Sequence, residues 1–404
     1  MELFNSLGKR IETFEHTKNR EVSIFTCGPS VYQRSHIGNF RTFLFEDILV
    51  RYLEFLGYEV KRGMNFTDIE DKAIAEASRR NVSLSALTEK NIEAFIREMG
   101  LLGMRIPDYL PKASESVDYA ADIVKRLLEL KIAYWHRGNV YFDPLRYPQF
   151  GQLYGLDMTH WPTSKKRFHK DTYRGLRWNR GDFILWHGST ETNGLSWNTK
   201  IGRGRPAWNI QDPSMIIRYF DETLSIYCGG IDNLYRHHDY SRAILESIRP
   251  YPMARFWLHC QHLFVNGQKM SKSKGNVYYL DTLRQQGHDL TEIRFFLIYG
   301  HYRKRLNYSL KTMKRAVEKL RELKELVRAL QKLADRAIDI NQKALQKTRG
   351  IFAEKMNNNL DVEGAFDGLH GFLSAPENTD LNPSAAKGIV QALAKIDEVL
   401  GVIF

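Results

Sequence analysis

One stretch near the N-terminus limits the fold of this chain more than any other. Residues 22–27 alternate in polarity as a β-strand does. Residues 39–56 then repeat apolar side chains at helical spacing up to Gly57, and residues 59–66 resume as a strand. A strand, a helix and a strand in this order predict a parallel sheet with a right-handed crossover. The pattern therefore predicts an α/β fold that binds a nucleotide at the carboxyl edge of the sheet.

The rest of the chain predicts three further regions. Residues 133–210 are rich in Trp, Tyr, Gly and Arg, and are typical of strands and loops inserted into a nucleotide-binding domain. From about residue 309 the apolar side chains follow a helical repeat. The other predicted elements are helices near 68–80, 84–101 and 113–131 and strands near 224–228 and 257–265. We therefore expect a Rossmann-like catalytic domain in two halves, 1–110 and 206–300, an inserted connective subdomain, 111–205, and a C-terminal α-helical bundle, 301–404.

Composition narrows the class of protein. No apolar run approaches the ~20 residues that a membrane span needs, so we expect no membrane partner. The N-terminus lacks the layout of a signal peptide, and three cysteines in 404 residues are too few for a disulfide framework. Both features favour a cytoplasmic location. The net charge of +12 favours polyanionic partners, nucleic acid first, although charge also serves solubility alone.

Two short motifs suit a triphosphate. Residues 269–276 read KMSKSKGN, which places Lys269 and Lys272 in a Ser/Gly-rich loop as a pair of cations. Such a pair can stabilise the charge that moves to pyrophosphate as the α–β phosphate bond breaks. His36 precedes Gly38 where the predicted helix begins, and helix N-termini favour anions. Either motif alone is weak evidence, since a basic loop is usually a solvated turn.

Together, in this order and roughly 230 residues apart, the two motifs resemble the paired signatures of class I aminoacyl-tRNA synthetases. Further segments are similar to those of cysteinyl-tRNA synthetases in particular, and they occur in that family's order. These segments are TCGPSVY at 26–32, HIGN at 36–39, NFTDIEDK at 65–72, GRPAW at 204–208, GGID at 229–232 and the histidine pair at 237–238. The resemblance implies a class I synthetase fold and an AMP-forming ligase that uses ATP and Mg²⁺.

The resemblance also implies roles for individual residues. Lys269, Lys272 and His36 would be catalytic, and the same residues would bind ATP together with Asn39, Gly230 and Asp232. Asn39 stands where the family usually has histidine, and Asp232 would accept hydrogen bonds from the ribose. The implied amino-acid pocket consists of Cys27, Thr67, Trp208, Asp212, Tyr227, His237 and Ser241.

The expected metal site departs from the family pattern. Cysteinyl-tRNA synthetases bind the substrate thiolate on Zn²⁺ held by two cysteines, a histidine and a glutamate. Here Cys27 and His237 match, but Asp212 replaces the second cysteine and Ser241 replaces the glutamate. Zinc on Cys27, Asp212 and His237, a metal-free pocket in which Asp212 meets another substrate, and a decayed pocket are the three alternatives. We expect zinc to be absent, because losing a thiolate and a carboxylate weakens its binding. We expect Cys228 and Cys260 to be packing residues and His238 to be a hydrogen-bonded structural residue.

The sequence is compatible with more than one acceptor for the aminoacyl group. The chain ends about where tRNA-charging relatives would begin their anticodon-reading domain, and a related short ligase of mycothiol biosynthesis joins cysteine to an amino sugar. The stretch 302–347 is nevertheless strongly basic, as contacts with a tRNA backbone require, although Glu–Lys pairing on an exposed helix explains it equally well.

These observations predict activation of an amino acid, one other than cysteine, as an aminoacyl-adenylate and its transfer to tRNA or a small amine. An authentic cysteine–tRNA ligase, a small-molecule amine ligase and a non-catalytic ATP- or tRNA-binding protein are the alternatives.

Overall fold

The computed structural model describes residues 1–15, 18–160, 182–189, 195–270, 274–375 and 381–404. The first half begins with an antiparallel hairpin, whose strands are β1 (Glu2–Asn5) and β2 (Arg10–Thr13). The predicted strand–helix–strand unit follows as β3 (Glu21–Thr26), α1 (Ile37–Phe55) and β4 (Glu59–Met64). Three helices complete this half, namely α2 (Asp71–Arg80), α3 (Leu84–Leu101) and α4 (Val117–Glu129).

An antiparallel sheet forms the inserted region. Its strands are β5 (Ala133–His136), β6 (Asn139–Phe142), β7 (Phe183–Gly188), β8 (Trp197–Thr199) and β9 (Gly202–Pro206). They pair in the order β5-β6-β7-β9-β8. Trp186, on β7, is fully buried and packs in the core of this region. The predicted strands between 133 and 210 are therefore present.

The sequence predicted none of the helices in the second half of the catalytic domain, and one of them contains a proline. That helix is α5 (Trp208–Tyr219), and Pro213 inside it would by itself argue against a helix. The following elements are β10 (Leu224–Gly230), α6 (Tyr240–Glu246), β11 (Ala254–Cys260), β12 (Leu263–Val265), β13 (Gln268–Lys269), α7 (Leu280–Gln285), α8 (Leu290–Ile298) and β14 (Leu306–Tyr308).

The central sheet has the strand order β11-β10-β3-β4, and all of its pairs are parallel. The predicted strand 257–265 is two strands instead of one. β11 ends in this sheet at Cys260, whereas β12 pairs with β13 and β14 in a separate sheet. The two strands separate at Gln261, because its backbone N–H donates to the Tyr302 carbonyl, at 2.8 Å, and not to a strand of the central sheet.

Four helices form the C-terminal bundle, α9 (Leu310–Ala334), α10 (Gln342–Asn357), α11 (Val362–Ser374) and α12 (Pro383–Leu400). One hydrophobic core joins this bundle to α1 and the central sheet, and a second core lies between the inserted sheet, α4 and α5. The fold is thus the predicted Rossmann-like catalytic domain with an inserted subdomain and a helical bundle. The exact domain boundaries stay a prediction. Among the described helices, none has the length and apolar character needed to cross a membrane.

Candidate active site

A cavity of about 430 Å³ opens at the carboxyl end of the parallel sheet. Cys27 follows β3 there, and Gly230 ends β10 on the neighbouring strand. The cavity is lined by the residues expected to bind ATP that the structure describes. These are His36, Asn39, Gly230, Asp232 and Lys269. Lys272, the sixth of them, lies outside the described residues.

His36 and Asn39 are tied to each other at the start of α1. The His36 Nδ1 accepts from the Asn39 backbone N–H at 3.3 Å, and the Asn39 Oδ1 accepts from the His36 backbone N–H at 3.0 Å. This reciprocal capping box fixes both side chains where the helix dipole favours an anion. Asn39 therefore has a structural reason to replace histidine at this position.

The chain leading into the lysine-rich loop lies directly over this helix start. A Cβ atom on Gly38 would lie 2.7 Å from the Met270 Cε, so the glycine leaves room for the close approach of this methionine side chain. Lys269 precedes Met270 at the end of β13. Lys269 and Met270 both line the cavity together with His36.

The same cavity is lined by three residues expected in the amino-acid pocket, Cys27, Thr67 and Trp208. Cys27 is held by its backbone N–H, which donates to the Cys228 carbonyl at 2.9 Å. A Cβ on Gly28 would lie 1.9 Å from the Asn65 carbonyl oxygen, so only glycine can follow Cys27 here. The two strand ends meet closely enough to bring Cys27 and Thr67 to one wall.

The other four residues expected in the pocket, Asp212, Tyr227, His237 and Ser241, lie behind this wall and are fully buried. Trp208 separates them from the cavity, because its ring stacks flat on the ring of His237 at a centroid distance of 4.1 Å. The structure therefore brings all seven residues together in two layers. Only the first layer faces the cavity.

Asp212 is the centre of the second layer. Its Oδ2 accepts from the Tyr227 hydroxyl at 2.6 Å and lies 3.0 Å from the His237 Nε2. Its Oδ1 accepts from the Asn65 Nδ2 at 3.0 Å. Both carboxylate oxygens are therefore occupied by groups of the protein itself.

The charges in this layer follow from burial and from these contacts. Burial opposes ionisation of Asp212, but the charge of His237 and the hydrogen bonds of His237 and Tyr227 hold the pKa of Asp212 below its usual range. Burial, followed by the neighbouring Asp212 charge, raises the pKa of the Cys27 thiol well above its ordinary value. An ionised Asp212 and a protonated Cys27 are thus the forms that this environment favours.

Two of the four positions that hold zinc in the family supply no free ligand here. Asp212 is engaged as described, and the Ser241 hydroxyl donates to the His237 carbonyl at 2.8 Å. The donor atoms that do converge are those of Cys27, His237 and His238, which lie within 4.8 Å of one another. A thiol and two imidazoles are chemically suited to zinc, although this set differs from the expected Cys27, Asp212 and His237.

His238 is a buried, hydrogen-bonded residue, as the sequence predicted. Its Nδ1 is 2.8 Å from the His259 Nε2, and the His259 Nδ1 is 2.8 Å from the Ser6 Oγ. Its Nε2 is buried without a hydrogen-bond partner. Sequence reasoning missed this arrangement, since only the fold brings His259 and Ser6 behind the ring.

Comparison with known proteins identifies the family of this chain. Residues 13–318 match the family model described as the tRNA synthetases class I (C) catalytic domain. The Cysteine--tRNA ligase of Chlamydia caviae is 33% identical over 411 residues, covering 99% of this chain and 86% of that protein. That of Brachyspira hyodysenteriae is also 33% identical, covering 98% of this chain and 85% of that protein.

Solved structures share the fold at low identity. Methionyl-tRNA synthetase of Mycobacterium tuberculosis in complex with methionyl-adenylate superposes with a TM-score of 0.66 at 14% identity, covering 95% of this chain and 90% of that one. The Agrobacterium radiobacter K84 agnB2 LeuRS in its ternary complex with tRNA and LeuAMS gives 0.70 at 11% identity, covering 95% and 84%. With the family model and the 33% identical relatives, these findings show that the chain belongs to the cysteinyl-tRNA synthetase family of class I aminoacyl-tRNA synthetases and is a ligase.

Proposed function

We propose that this ligase condenses an amino acid other than cysteine with ATP to form an aminoacyl-adenylate, and then transfers the aminoacyl group to an acceptor. The observation that carries the proposal is the state of Asp212. This residue stands where the family has its second cysteine ligand, and Tyr227, Asn65 and His237 occupy its carboxylate. A cytoplasmic location is part of the same proposal.

The first step needs no general base, because the carboxylate of the amino acid is already ionised at neutral pH. One of its oxygens attacks the α-phosphorus of ATP, and the bond to the β-phosphate oxygen breaks to release pyrophosphate. His36, Lys269 and Lys272 stabilise the negative charge that moves to the leaving group. Mg²⁺, when bound to the nucleotide, would neutralise part of the same charge. Asp232 accepts hydrogen bonds from the ribose and orients the nucleotide.

The altered second layer argues against cysteine as the substrate. Selecting a thiol over a hydroxyl requires a soft metal that captures the thiolate. With Asp212 engaged and Ser241 turned to the backbone, two of the family's four ligand positions supply nothing to such a metal. The pocket instead offers the substrate the Cys27 thiol and the Trp208 ring, with an anionic Asp212 behind them.

A zinc-dependent cysteine–tRNA ligase is the second candidate, and one observation favours it. The donor atoms of Cys27, His237 and His238 converge, and the His238 Nε2 has no hydrogen-bond partner. These three residues would hold the ion, which would supply a soft Lewis acid for a substrate thiolate. His259, behind His238, would then fix the orientation of that ring.

For the acceptor, we favour tRNA over a small-molecule amine because of α9. Lys319 and Arg321 on this helix pair with Asp367 and Glu292 and are not available to a phosphate backbone. Four other basic side chains of the helix are exposed and form no ion pair with another described residue. These are Lys311, Arg315, Arg328 and Lys332.

ATP–pyrophosphate exchange with each of the twenty amino acids, with and without tRNA, tests the proposal, and elemental analysis of the purified protein should accompany it. We expect exchange with one amino acid other than cysteine and less than one zinc per chain. Efficient exchange with cysteine together with one tightly held zinc would establish the second candidate. If no amino acid supports exchange, the protein is a non-catalytic ATP- or tRNA-binding protein.

A further inference from the structure

Glu70 is a buried carboxylate on the cavity wall that the roles described above do not use. It precedes the first residue of α2 and caps no backbone N–H with its side chain. The residue is 4% exposed, and its Oε1 is buried without a hydrogen-bond partner. It nevertheless lines the same cavity as Cys27, Thr67 and Trp208. Burying a carboxylate oxygen that accepts no hydrogen bond costs free energy, unless a bound ligand supplies the missing donor.

The contacts of Glu70 place it beside residues expected in the amino-acid pocket. Ser30 donates a hydrogen bond to its carboxyl group, and Ser30 forms a parallel bridge with Thr67. Its charge also interacts with that of His237, which lies directly behind Trp208. Glu70 therefore lies near Thr67 and His237, in the cavity that His36 and Lys269 also line.

Several charged and titratable groups lie around Glu70, and none of those described donates a hydrogen bond to its Oε1. Burial raises the pKa of Glu70, and the positive charge of Lys72 offsets part of that shift, while Asp71 adds to it. Asp71 is itself paired with Arg205. Tyr32, the remaining titratable neighbour, has its own pKa raised by burial and by the Glu70 charge, and so remains neutral. A cationic group entering the cavity would add the favourable interaction that the Oε1 lacks.

We infer that the Glu70 carboxylate binds the α-ammonium group of the amino-acid substrate. An ammonium group carries three N–H donors and a full positive charge, which suits a buried oxygen that accepts no other hydrogen bond. Held at Glu70, the substrate can direct its carboxylate toward the triphosphate at His36 and Lys269. The inference rests on the proposed amino-acid activation and adds a positioning contact to it.

The test is a two-by-two comparison of enzyme and ligand. The ligands are the amino alcohol of whichever amino acid gives the strongest pyrophosphate exchange, and the matching alcohol without the amine. Neither ligand can form an adenylate with ATP, so competitive inhibition constants report binding only. Wild type should prefer the amino alcohol by about 10- to 100-fold, the range expected for a charged hydrogen bond. Glu70→Gln should lose most of this preference, and its KM for the amino acid should rise while its KM for ATP stays the same.

Two further variants separate binding from folding. Glu70→Asp keeps the charge and should recover part of the preference, whereas Glu89→Gln removes an exposed carboxylate on α3 and should behave as wild type. Exchange in Glu70→Gln with an unchanged preference for the amino alcohol would overturn the role of Glu70 alone. A Glu70→Gln protein whose KM values for ATP and amino acid rise together, with a lower melting temperature, would assign it a structural role instead. Failure of wild type to exchange with any of the twenty amino acids would overturn the proposed function itself.

Discussion

The indole ring of Trp208 lies flat on the imidazole ring of His237, with ring centroids 4.1 Å apart and planes inclined by 6°. The stack lies at the cavity wall, and the fully buried Asp212 lies behind it. Asp212 can influence the substrate through the side chains that it contacts, which include Cys27 on the cavity wall and His237 and Tyr227 behind it. Asp212 therefore shapes the pocket without lining it.

Asp212→Ala should weaken use of the amino acid more than use of ATP. The change leaves the buried Tyr227 hydroxyl without its acceptor, at a cost of about 1–3 kcal/mol, and removes the hydrogen bond that the Asn65 amide donates to Asp212. The wall formed by His237 and Trp208 should then loosen. Steady-state pyrophosphate exchange should show a raised KM for the amino acid and a nearly unchanged KM for ATP. Tyr227→Phe, which removes a single hydrogen bond, is the matched control and should have the smaller effect. Equal losses for both substrates would refute this role of Asp212.

Purified protein should contain substoichiometric zinc, and removal of metal by a chelator should leave pyrophosphate exchange unchanged. The reason is that Asp212 and Ser241 make hydrogen bonds within the protein at two of the family's ligand positions. Inductively coupled plasma mass spectrometry and exchange assays before and after chelation would measure both quantities. If the wild type holds one zinc per chain and His238→Gln loses it, the cluster of Cys27, His237 and His238 is a metal site after all.

Lys269→Ala and Lys272→Ala should each slow adenylate formation. Under the proposed mechanism, loss of one cation that stabilises the leaving group corresponds to about 2–4 kcal/mol of transition-state stabilisation. The affinity for ATP should change much less, because the cations act on charge that develops during the reaction. Single-turnover adenylate formation and equilibrium ATP binding give the two quantities. Lys274→Ala, in the same loop, serves as the control. A parallel loss of binding and rate would mean that the lysines only hold ATP in its ground state.

Binding of tRNA should depend steeply on salt. Neutralised phosphates release counterions, so the logarithm of the association constant should fall linearly with that of the salt concentration. Replacing three exposed cations of α9 with glutamine should reduce this slope by roughly one for each lost phosphate contact. The residues to replace are Lys311, Arg315 and Arg328, and the control triple variant replaces Lys90, Lys125 and Arg137, which are exposed elsewhere. A slope near zero in wild type would favour a small-molecule amine as the acceptor.

Stability should fall as the pH rises from about 4 to about 8, in part because of Glu46. Burial raises the pKa of this residue to about 8, and the charge and hydrogen bond of Arg62 offset only part of the shift. Over this interval the folded protein keeps a proton that the unfolded chain has released, so raising the pH favours unfolding by up to about 1.4 kcal/mol per pH unit. Chemical denaturation at several pH values should give a shallower pH dependence for Glu46→Gln than for wild type, with Glu89→Gln as control. Identical dependences in all three proteins would exclude this contribution.

Sequence alone determined the framework of this protein, because the framework follows from local periodicity. The alternation in 22–27, the helical repeat in 39–56 and the strand after it predicted β3, α1 and β4. Parallel strands place their carboxyl ends at one edge, so the position of His36 near Cys27 followed as well. The motifs shared with the family were sufficient to identify it.

Only the tertiary structure decided how the site is layered. Helix α5, which Pro213 argued against, turns Trp208 toward the cavity and Asp212 away from it. Asn65 and Asp212 meet across 147 residues, and no local pattern could reveal that the Asp212 carboxylate is already occupied. The unpartnered oxygen of Glu70 and the approach of His238 to Cys27 depend in the same way on contacts between distant segments. The sequence specifies the chemistry of each side chain, but its burial and its contact partners are determined only when separate elements pack together.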